Sequence, residues 1–250
     1  MGMADESRFE SESTARNYAA ARPDYPADLF DALDELLAGR LCGARVVDVA
    51  AGTGIASRQL AERGAHVTAV DLSEAMLAAL TVGSSGIHAV RASAHALPLG
   101  DHSADMVTCA QAWHWLDKKA AVGEARRVLR SGGVLAIWWN QTVYDAEWER
   151  AQSARFDAAT PHWHRYAATE IPEDYADTAD LLPRTLIFRW QRTIPVERHL
   201  LNLASRSYLR ELGDALPDFL NRERRILTEL FPDGQITERF TTFLRTAVVT

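Results

Sequence analysis

The sequence predicts a doubly wound α/β domain built on a mostly parallel sheet. Between residues 45 and 139, short runs rich in β-branched residues alternate with segments of helical periodicity. Strands this apolar are typical of parallel sheets that are covered by helices on both faces. A glycine-containing turn follows the first run, at the place where such sheets bind their ligands. A last run rich in Thr, Phe and Val, at 238–249, predicts an antiparallel strand that closes the sheet.

The composition fits one folded domain. The chain has 250 residues, of which 47% are hydrophobic and 24% charged, and these values argue against disorder. Its net charge of -7 disfavours nucleic-acid binding, because phosphate neutralisation requires clustered Lys and Arg. Cys42 and Cys109 are too few for a disulfide framework, and residues 1–12 hold no apolar signal segment. We therefore expect a single cytoplasmic domain over 1–250, with no membrane or nucleic-acid partner.

Helices and strands are expected in a regular order. Pro23 and Pro26 separate an N-terminal helical segment from the next helix. Ser73 is a good N-cap, and Gly132 and Gly133 are typical of a helix end. The predicted helices are 14–21, 27–37, 55–63, 74–80 and 118–129, and the predicted strands are 45–49, 66–70, 87–91, 104–110, 134–139, 185–190 and 238–249.

The turn at 48–54, DVAAGTG, carries the strongest functional signal. Its glycines let a ligand approach the backbone, which side chains would otherwise block. Asp71 ends the next predicted strand, where an acid can accept hydrogen bonds from both hydroxyls of a ribose. These two features fit any nucleoside cofactor.

Three details favour S-adenosylmethionine over NAD. The dinucleotide pattern requires a third glycine at position 57, where Ser57 stands. The carboxylate of Asp48, just before the turn, suits a ligand with an ammonium and a sulfonium better than a pyrophosphate. No second mononucleotide-binding half follows the fifth strand. The residues therefore predict S-adenosylmethionine as cofactor and S-adenosylhomocysteine as product.

Four stretches resemble, in order, the successive motifs of class I S-adenosylmethionine-dependent methyltransferases. They are DVAAGTG at 48–54, VDLSEAM at 70–76, AHALP at 94–98 and EARRVLRSGG at 124–133. The resemblance implies a Rossmann-like, seven-stranded sheet whose last strand is antiparallel. Three further stretches resemble small-molecule enzymes related to trans-aconitate methyltransferases: RPDYP at 22–26, QAWHWLD at 111–117 and SRSY at 205–208.

The family resemblance also implies a set of cofactor contacts. These are the backbone of Ala50, Gly52 and Gly54 for the methionine part, Asp71 for the ribose, Leu72 and Met76 beside the adenine, Ser93 and Ala94 at the adenine edge, Gln111 at the methionine or ribose end, and Tyr18 and Arg22 folding over the cofactor. Arg22 would pair with the cofactor carboxylate through its planar guanidinium. Many relatives place an Asp where Ser93 stands, so this contact departs from the family pattern.

The methyl acceptor is expected beside the cofactor, beyond the carboxyl ends of the strands. His114 is the candidate general base or acceptor-positioning residue, and the alternative is that it only packs between Trp113 and Trp115. The other predicted substrate contacts are Trp113, Trp139, Arg206 and Tyr208. Arg206 would matter most for a carboxylate acceptor, and a surface ion pair is the alternative. An N-terminal lid at 1–40 and the segments 141–183 and 196–232, expected to be helical, would cover the acceptor.

The predicted function is methylation of a small molecule, with a carboxyl or hydroxyl oxygen as the favoured acceptor. Methylation of nitrogen or carbon on a natural-product scaffold is the alternative in the same class. An NAD-dependent oxidoreductase would need a Tyr-x-x-x-Lys pair after the fifth strand, which the sequence lacks. A regulator that binds the cofactor without catalysis is also open. His162 and His164 lie two residues apart without a supporting ligand cluster, so no metal is expected.

Overall fold

The computed structural model describes residues 21–81, 86–160 and 184–249. The strands are β1 (Arg45–Val49), β2 (His66–Asp71), β3 (Ile87–Arg91), β4 (Ala104–Ala110), β5 (Leu129–Thr142), β6 (Arg184–Pro195) and β7 (Gln235–Val248). The helices are α1 (Ala27–Leu36), α2 (Ile55–Glu62), α3 (Glu74–Thr81), α4 (Lys118–Val128), α5 (Glu147–Ala159), α6 (Val196–Ala204), α7 (Ser207–Arg210) and α8 (Leu216–Leu230). Short 3₁₀ turns lie at Trp113–Trp115 and Gly213–Ala215.

The strands form one seven-stranded sheet in the order β3-β2-β1-β4-β5-β7-β6. The first five strands are parallel, and β7 runs antiparallel to both β5 and β6. This arrangement confirms the predicted fold class, including the antiparallel last strand. The strand order reverses beside β1, which pairs with β2 on one side and β4 on the other. Ligands of open α/β sheets bind at such a reversal, beyond the carboxyl ends of the strands.

Apolar helix faces cover both sides of the sheet. On one side, Leu29, Phe30 and Leu33 of α1 are fully buried in a cluster that includes Val46 of β1. On the other side, α4 packs through residues such as Val128 against β4 and β5. Because both faces are covered, the strands are almost continuously apolar, as the sequence indicated.

A third apolar cluster lies under the C-terminal helices. Phe156 of α5, Leu200 of α6 and Phe219 and Leu227 of α8 pack with Ile236 at the start of β7. This cluster holds α5, α6 and α8 together around the first residues of β7, next to the end of β5.

Several predicted boundaries are confirmed and others are corrected. Ser73 does cap α3, since its Oγ accepts the N–H of Met76 at 3.3 Å. Helix α4, predicted at 118–129, ends one residue earlier at Val128, but the predicted glycine stop was wrong, because Gly132 and Gly133 lie within β5. The sequence also predicted β5 too short, because antiparallel pairing with β7 carries the strand through to Thr142.

The C-terminal half shows two further differences. Edge strand β6 continues to Pro195, because β7 pairs with it along its whole length. Helix α8 has 15 residues, so the expected short helices at 196–232 include one long one. Helix α5 accounts for part of the helical insertion predicted at 141–183, and residues 161–183 lie outside the described residues.

Within the described ranges, no helix is long and apolar enough to cross a membrane. The same residues contain no group of three or more His, Cys, Asp or Glu side chains that could hold a metal ion. The predicted helix at 14–21, Tyr18 and the pair His162 and His164 fall in parts of the chain that the structure does not describe, apart from helical Ala21.

Candidate active site

The loop between β1 and α2 turns sharply at left-handed residues. Ala50, Gly52 and Gly54 have φ angles of 52°, 56° and 78°. The Ala51 N–H donates to the carbonyl of Val70 in β2 at 3.0 Å. The loop is therefore fixed against the end of the neighbouring strand, with its backbone on the rim of the sheet.

Gly54 is required for both its conformation and the space around it. A Cβ atom at this position would lie 2.6 Å from Cγ of Leu80, closer than real Cβ atoms approach. A Cβ at Gly52 would meet nothing within 4 Å, so only its φ angle favours glycine there. The loop thus packs closely on α3 at Gly54 and is open at Gly52.

Asp71 joins two loops at the tip of β2. Its Oδ2 accepts the N–H of Gly52 at 2.8 Å, and its Oδ1 accepts the N–H of Ser73 at 2.8 Å. Burial raises the pKa of the Asp71 carboxyl, and these backbone hydrogen bonds partly offset the rise. The carboxylate is held in one orientation beside the glycine loop.

Asp48 lies beneath the loop and is fully buried. Its Oδ2 accepts the Ser57 hydroxyl at 2.5 Å, and its Oδ1 accepts the Thr108 hydroxyl at 2.8 Å. Burial raises the pKa of Asp48 to about 6, despite both hydroxyl hydrogen bonds, and the nearby charge of Asp71 raises it further. Sequence reasoning missed Ser57 and Thr108 as partners, since Ser57 was considered only as the absence of a glycine.

The side chains expected around an adenine differ in exposure. Leu72, directly after Asp71, is 52% exposed. Met76 and Ala94 are buried in the protein interior. Ser93 forms a tight turn, in which its Oγ accepts the N–H of His95 at 3.2 Å.

Gln111 follows β4 with a φ angle of 61°, the left-handed region that L side chains rarely adopt. Its N–H donates to the carbonyl of Trp138 at 2.8 Å, and its Nε2 donates to the carbonyl of Asn140 at 3.3 Å. Ala50 and Gln111 thus place strained backbone at the ends of β1 and β4, the two strands at the order reversal. Strain of this kind clusters at functional sites.

The 3₁₀ turn after Gln111 begins and ends with a tryptophan, Trp113 and Trp115. Trp113 is 1% exposed and packs in the core cluster around β4 and β5, whereas Trp115 is 59% exposed. His114 lies between them, with its ring centroid 4.6 Å from that of Trp115. The buried position of Trp113 favours core packing over a direct contact with substrate.

The orientation of His114 follows from its contact with Trp139. The indole Nε1 of Trp139, which can only donate, lies 3.3 Å from Nδ1 of His114. Nδ1 is therefore the acceptor, and a neutral ring carries its proton on Nε2.

Two of the predicted arginines lie together at the helices α5 to α8, which form the C-terminal cover. Arg22 donates through Nη2 to the carbonyl of Ser205 at 3.4 Å. The adjacent Arg206 donates to the hydroxyls of Tyr208 at 3.0 Å, Tyr144 at 3.4 Å and Thr142 at 2.9 Å. The structure thus joins Arg206 and Tyr208, both predicted as substrate contacts. Thr142 and Tyr144 were missed, because nothing in the sequence linked them to a motif 60 residues away.

Comparison with known proteins agrees with this geometry. Residues 47–137 match the family described as a methyltransferase domain. A solved structure from Anaeromyxobacter dehalogenans, described provisionally as a type II methyltransferase, has 25% sequence identity and a TM-score of 0.69, covering 91% of this chain and 98% of that one. An uncharacterized methyltransferase of Mycobacterium tuberculosis is 41% identical over 133 residues, 53% of each chain.

Residues 47–137 therefore carry the methyltransferase domain, and the sheet has the fold of a solved methyltransferase. A malonyl-[acyl-carrier protein] O-methyltransferase of Enterobacter lignolyticus is 38% identical over 128 residues, which is 51% of this chain and 50% of that protein. The chain thus spans about half the length of the curated relatives that it matches. The resemblance to trans-aconitate methyltransferases stays a prediction.

The rim of this methyltransferase fold suits S-adenosylmethionine. Gly52 leaves open space beside the loop, Asp71 is oriented at the end of β2, and Leu72 presents an exposed apolar surface next to it. An adenosine needs this combination of an anionic acceptor for its hydroxyls and an apolar surface for its base. The family match ends at residue 137, before Thr142, Tyr144 and Arg206.

Proposed function

We propose that this chain transfers the methyl group of S-adenosylmethionine to an oxygen of a small molecule, a carboxyl or a hydroxyl group. The observation that carries this proposal is the position of Asp71. Its carboxylate ties the glycine loop to the start of α3, directly beside exposed Leu72. The Enterobacter lignolyticus relative supports oxygen as the acceptor atom, because its name specifies O-methylation.

We assign the cofactor-binding roles in the same way as the sequence suggested. Asp71 would accept the ribose hydroxyls, and the backbone at Ala50, Gly52 and Gly54 would hold the methionine part. The remaining assigned residues are Leu72, Met76, Ser93 and Ala94 for the adenine, Gln111 for the methionine or ribose end, and Tyr18 and Arg22 as the cover. Asp48, fully buried and hydrogen-bonded to Ser57 and Thr108, supports the loop from beneath. The strained backbone of Gln111 supports its position in the site.

S-adenosylmethionine, when bound, supplies a methyl group attached to a positively charged sulfur. This sulfur is a good leaving group and needs no acid catalysis. The chain is then left with orienting the acceptor and excluding water, which is where such an enzyme gains most of its rate. A carboxylate acceptor needs no base, since it has no proton to lose. We assign His114 to positioning the acceptor oxygen, since Trp139 fixes the orientation of its ring through Nδ1.

We propose that the acceptor-side contacts are Trp139, His114, Arg206 and Tyr208, with Trp113 supporting them from the core. We also propose a single domain over 1–250 in the cytoplasm that acts without nucleic acid or membrane. The net charge of -7 and the absence of a disulfide between Cys42 and Cys109 support this setting.

Calorimetric titration with S-adenosylhomocysteine tests the cofactor directly. The wild-type chain is expected to bind it, with no binding of NADH. Asp71→Asn should weaken binding by at least about tenfold, the value of one hydrogen-bonded charge. Asp101→Asn is the matched control, because Asp101 is an exposed aspartate paired with Arg127 on the surface. A folded wild-type chain that binds no S-adenosylhomocysteine would contradict the proposal.

Chromatographic detection of S-adenosylhomocysteine, with S-adenosylmethionine and a panel of carboxylic acids, phenols and amines, then tests the reaction. Product formation with acids or phenols is expected. Product only with amines would show that nitrogen, and not oxygen, is the acceptor atom.

A further inference from the structure

The hydrogen-bond partners of the Arg206 side chain are neutral hydroxyl groups. Its guanidinium donates to three hydroxyl oxygens, those of Thr142, Tyr144 and Tyr208. Its Nε atom is buried and makes no hydrogen bond. Burial alone would lower the pKa of Arg206, but the neighbouring Tyr208 and Tyr144 and the charge of Glu238 raise it, so the guanidinium is charged.

No carboxylate lies within ion-pair distance of Arg206 in the described part of the chain, which contrasts with its neighbours. Arg192 pairs with Glu238 at 2.6 Å, Arg155 with Glu223 at 2.5 Å and Arg239 with Glu149 at 3.1 Å. In each of these pairs the carboxylate side chain is at most 3% exposed. Arg192, Arg155 and Arg239 are thus matched with acids, whereas Arg206 has no acid at ion-pair distance among the described residues. A shielded charge of this kind is costly unless an anion completes it.

The hydroxyls around Arg206 cannot supply that negative charge. Burial raises the pKa of Tyr144 well above its ordinary value, even with the guanidinium beside it, so the phenol stays neutral. A hydroxyl that accepts an N–H still carries a hydrogen of its own to donate. The arrangement therefore presents one cation, held in place by tyrosines that also hydrogen-bond each other.

The position of Arg206 links it to the active site. Its partner Thr142 lies two residues beyond Asn140 on β5, about 7 Å along the strand. The carbonyl of Asn140 accepts the side chain of Gln111 at 3.3 Å. Arg22 contacts the carbonyl of Ser205, the residue before Arg206. Arg206 thus lies on the carboxyl-end rim, on the side away from Asp71.

We propose that Arg206, together with Tyr144 and Tyr208, binds a carboxylate of the methyl acceptor. A planar guanidinium matches a carboxylate through parallel N–H donors, and one charge neutralises one carboxylate. This inference rests on the proposed methyltransferase function and narrows its acceptors to carboxylic acids. The methionine carboxylate of the cofactor is the other source of the same chemistry, and the test below separates the two.

The test uses the full chain saturated with S-adenosylhomocysteine and titrated with acetate or benzoate, with acetamide and benzamide as neutral counterparts. The acids should bind and the amides should not. Arg206→Met should weaken acid binding by at least about tenfold while the affinity for S-adenosylhomocysteine stays within about twofold. Arg225→Met is the control, because Arg225 is an exposed arginine on α8.

Two further readouts keep the test decisive. The melting temperature of the variant without ligand shows whether its fold is intact, because Arg206→Met also removes three hydrogen bonds to hydroxyls. Should that variant fail to fold, Arg206→Lys and Tyr208→Phe replace it, and each should weaken benzoate binding several-fold without changing cofactor affinity.

The outcomes are distinct. Loss of acid binding with cofactor affinity kept supports the inference. Loss of S-adenosylhomocysteine affinity with acid binding unchanged would assign Arg206 to the cofactor carboxylate and overturn it. A wild-type chain that binds S-adenosylhomocysteine but neither acid would also overturn it, and would leave the cofactor proposal intact. Failure to bind S-adenosylhomocysteine at all would instead refute the proposed function.

Discussion

At the scale of single residues, the buried carboxyl of Asp48 destabilises the fold when it is ionised. Its carboxylate is fully buried with two hydroxyl donors, and burial raises its pKa from 3.8 to about 6. For a carboxyl with a raised pKa, the contribution to stability is fully present below 3.8 and is lost as the pH rises through about 6. Above that pH the ionised group costs about 3 kcal/mol of folding free energy.

Asp48→Asn should therefore stabilise the chain at pH 8 by about 1–3 kcal/mol and have little effect at pH 4. Urea denaturation at both pH values measures this difference. Asp105 is a matched control with the opposite sign, because hydrogen bonds and charges from Arg45 and Arg130 outweigh its partial burial and lower its pKa. Asp105→Asn should destabilise at pH 8. Equal destabilisation by Asp48→Asn at both pH values would mean that the charge of Asp48 does not destabilise the fold.

Ala50 gives a second prediction, which concerns backbone strain. A left-handed Ala costs about 1–2 kcal/mol, and replacing Ala with Gly in an ordinary conformation loses about 0.4–1 kcal/mol through the unfolded chain. Because Ala50 has a φ angle of 52°, the two effects should nearly cancel or favour Gly in Ala50→Gly. Ala51→Gly, one residue on and without a positive φ, should destabilise by about 0.5–1 kcal/mol. Equal losses in the two variants, measured by urea denaturation, would argue against strain at Ala50.

The sequence identified which residues end the strands, but not how they are joined. Asp71 was predicted at the tip of β2 from its place in a motif, and the structure puts it there. The bonds from Ser57 and Thr108 to Asp48, and from Trp139 to His114, join residues that are far apart in two of the three cases. Such contacts depend on strand register, which a single sequence does not give. The sequence also did not predict which side chains are exposed. Trp113 and Trp115 flank the same histidine, but only Trp115 is exposed to solvent.

At the scale of elements, the loop and α3 act as one unit, because Gly54 packs directly on Leu80. Gly54→Ala would force a left-handed side chain and place its Cβ 2.6 Å from Cγ of Leu80. We expect a loss of about 2–4 kcal/mol, combining left-handed strain with overpacking, together with weaker binding of S-adenosylhomocysteine. Urea denaturation measures the first effect and calorimetry the second.

Gly52→Ala is the natural comparison, since its Cβ would meet nothing within 4 Å. It should cost only the left-handed strain of about 1–2 kcal/mol. The double variant Gly54→Ala with Leu80→Ala should lose less than the sum of the single changes, because removing the leucine makes room for the new methyl group. Equal costs at positions 52 and 54 would mean that the loop does not press on α3.

Element boundaries were predicted well where periodicity was strong and poorly where pairing decides. The ends of β1, β3 and β4 agree with the sequence pattern. Strand β5 ran beyond its prediction at both ends, because β7 pairs with it through Thr142 and the parallel neighbour β4 begins beside Leu129. Polar residues such as Gln141 and Arg192 do not by themselves predict a strand. Both nevertheless lie in strands, because β5 and β6 pair with β7 there.

At the scale of the whole molecule, a buried network joins the C-terminal cover to the sheet. Glu238 on β7 accepts from Nδ1 of His199 at 2.6 Å and from Asn202 at 3.1 Å, and it pairs with Arg192. His199 also faces the side-chain oxygen of Gln152 at 3.2 Å through its other nitrogen. Helices α5 and α6 are thereby anchored to β6 and β7, which is what places Arg206 on the rim.

Glu238 makes this anchoring dependent on pH. Burial alone would raise its pKa, but the hydrogen bond and charge of His199, the charge of Arg192 and the hydrogen bond from Asn202 lower it from 4.5 to about 2. For a carboxyl with a lowered pKa, the contribution is fully present above 4.5 and is lost as the pH falls through about 2. The cover should therefore loosen in acid, in the direction opposite to the effect of Asp48.

Glu238→Gln should cost about 3–5 kcal/mol at pH 7, because it leaves Arg192 and His199 facing a neutral amide. At pH 2 the cost should shrink by about 3 kcal/mol, since the wild-type carboxyl is then partly protonated. Urea denaturation across this range measures both values, with Glu197→Gln as the control on an exposed ion pair with Arg224. A cost that does not change with pH would show that Glu238 anchors the cover by shape alone. The acceptor side would then owe its position to the apolar cluster around Phe156 rather than to charge.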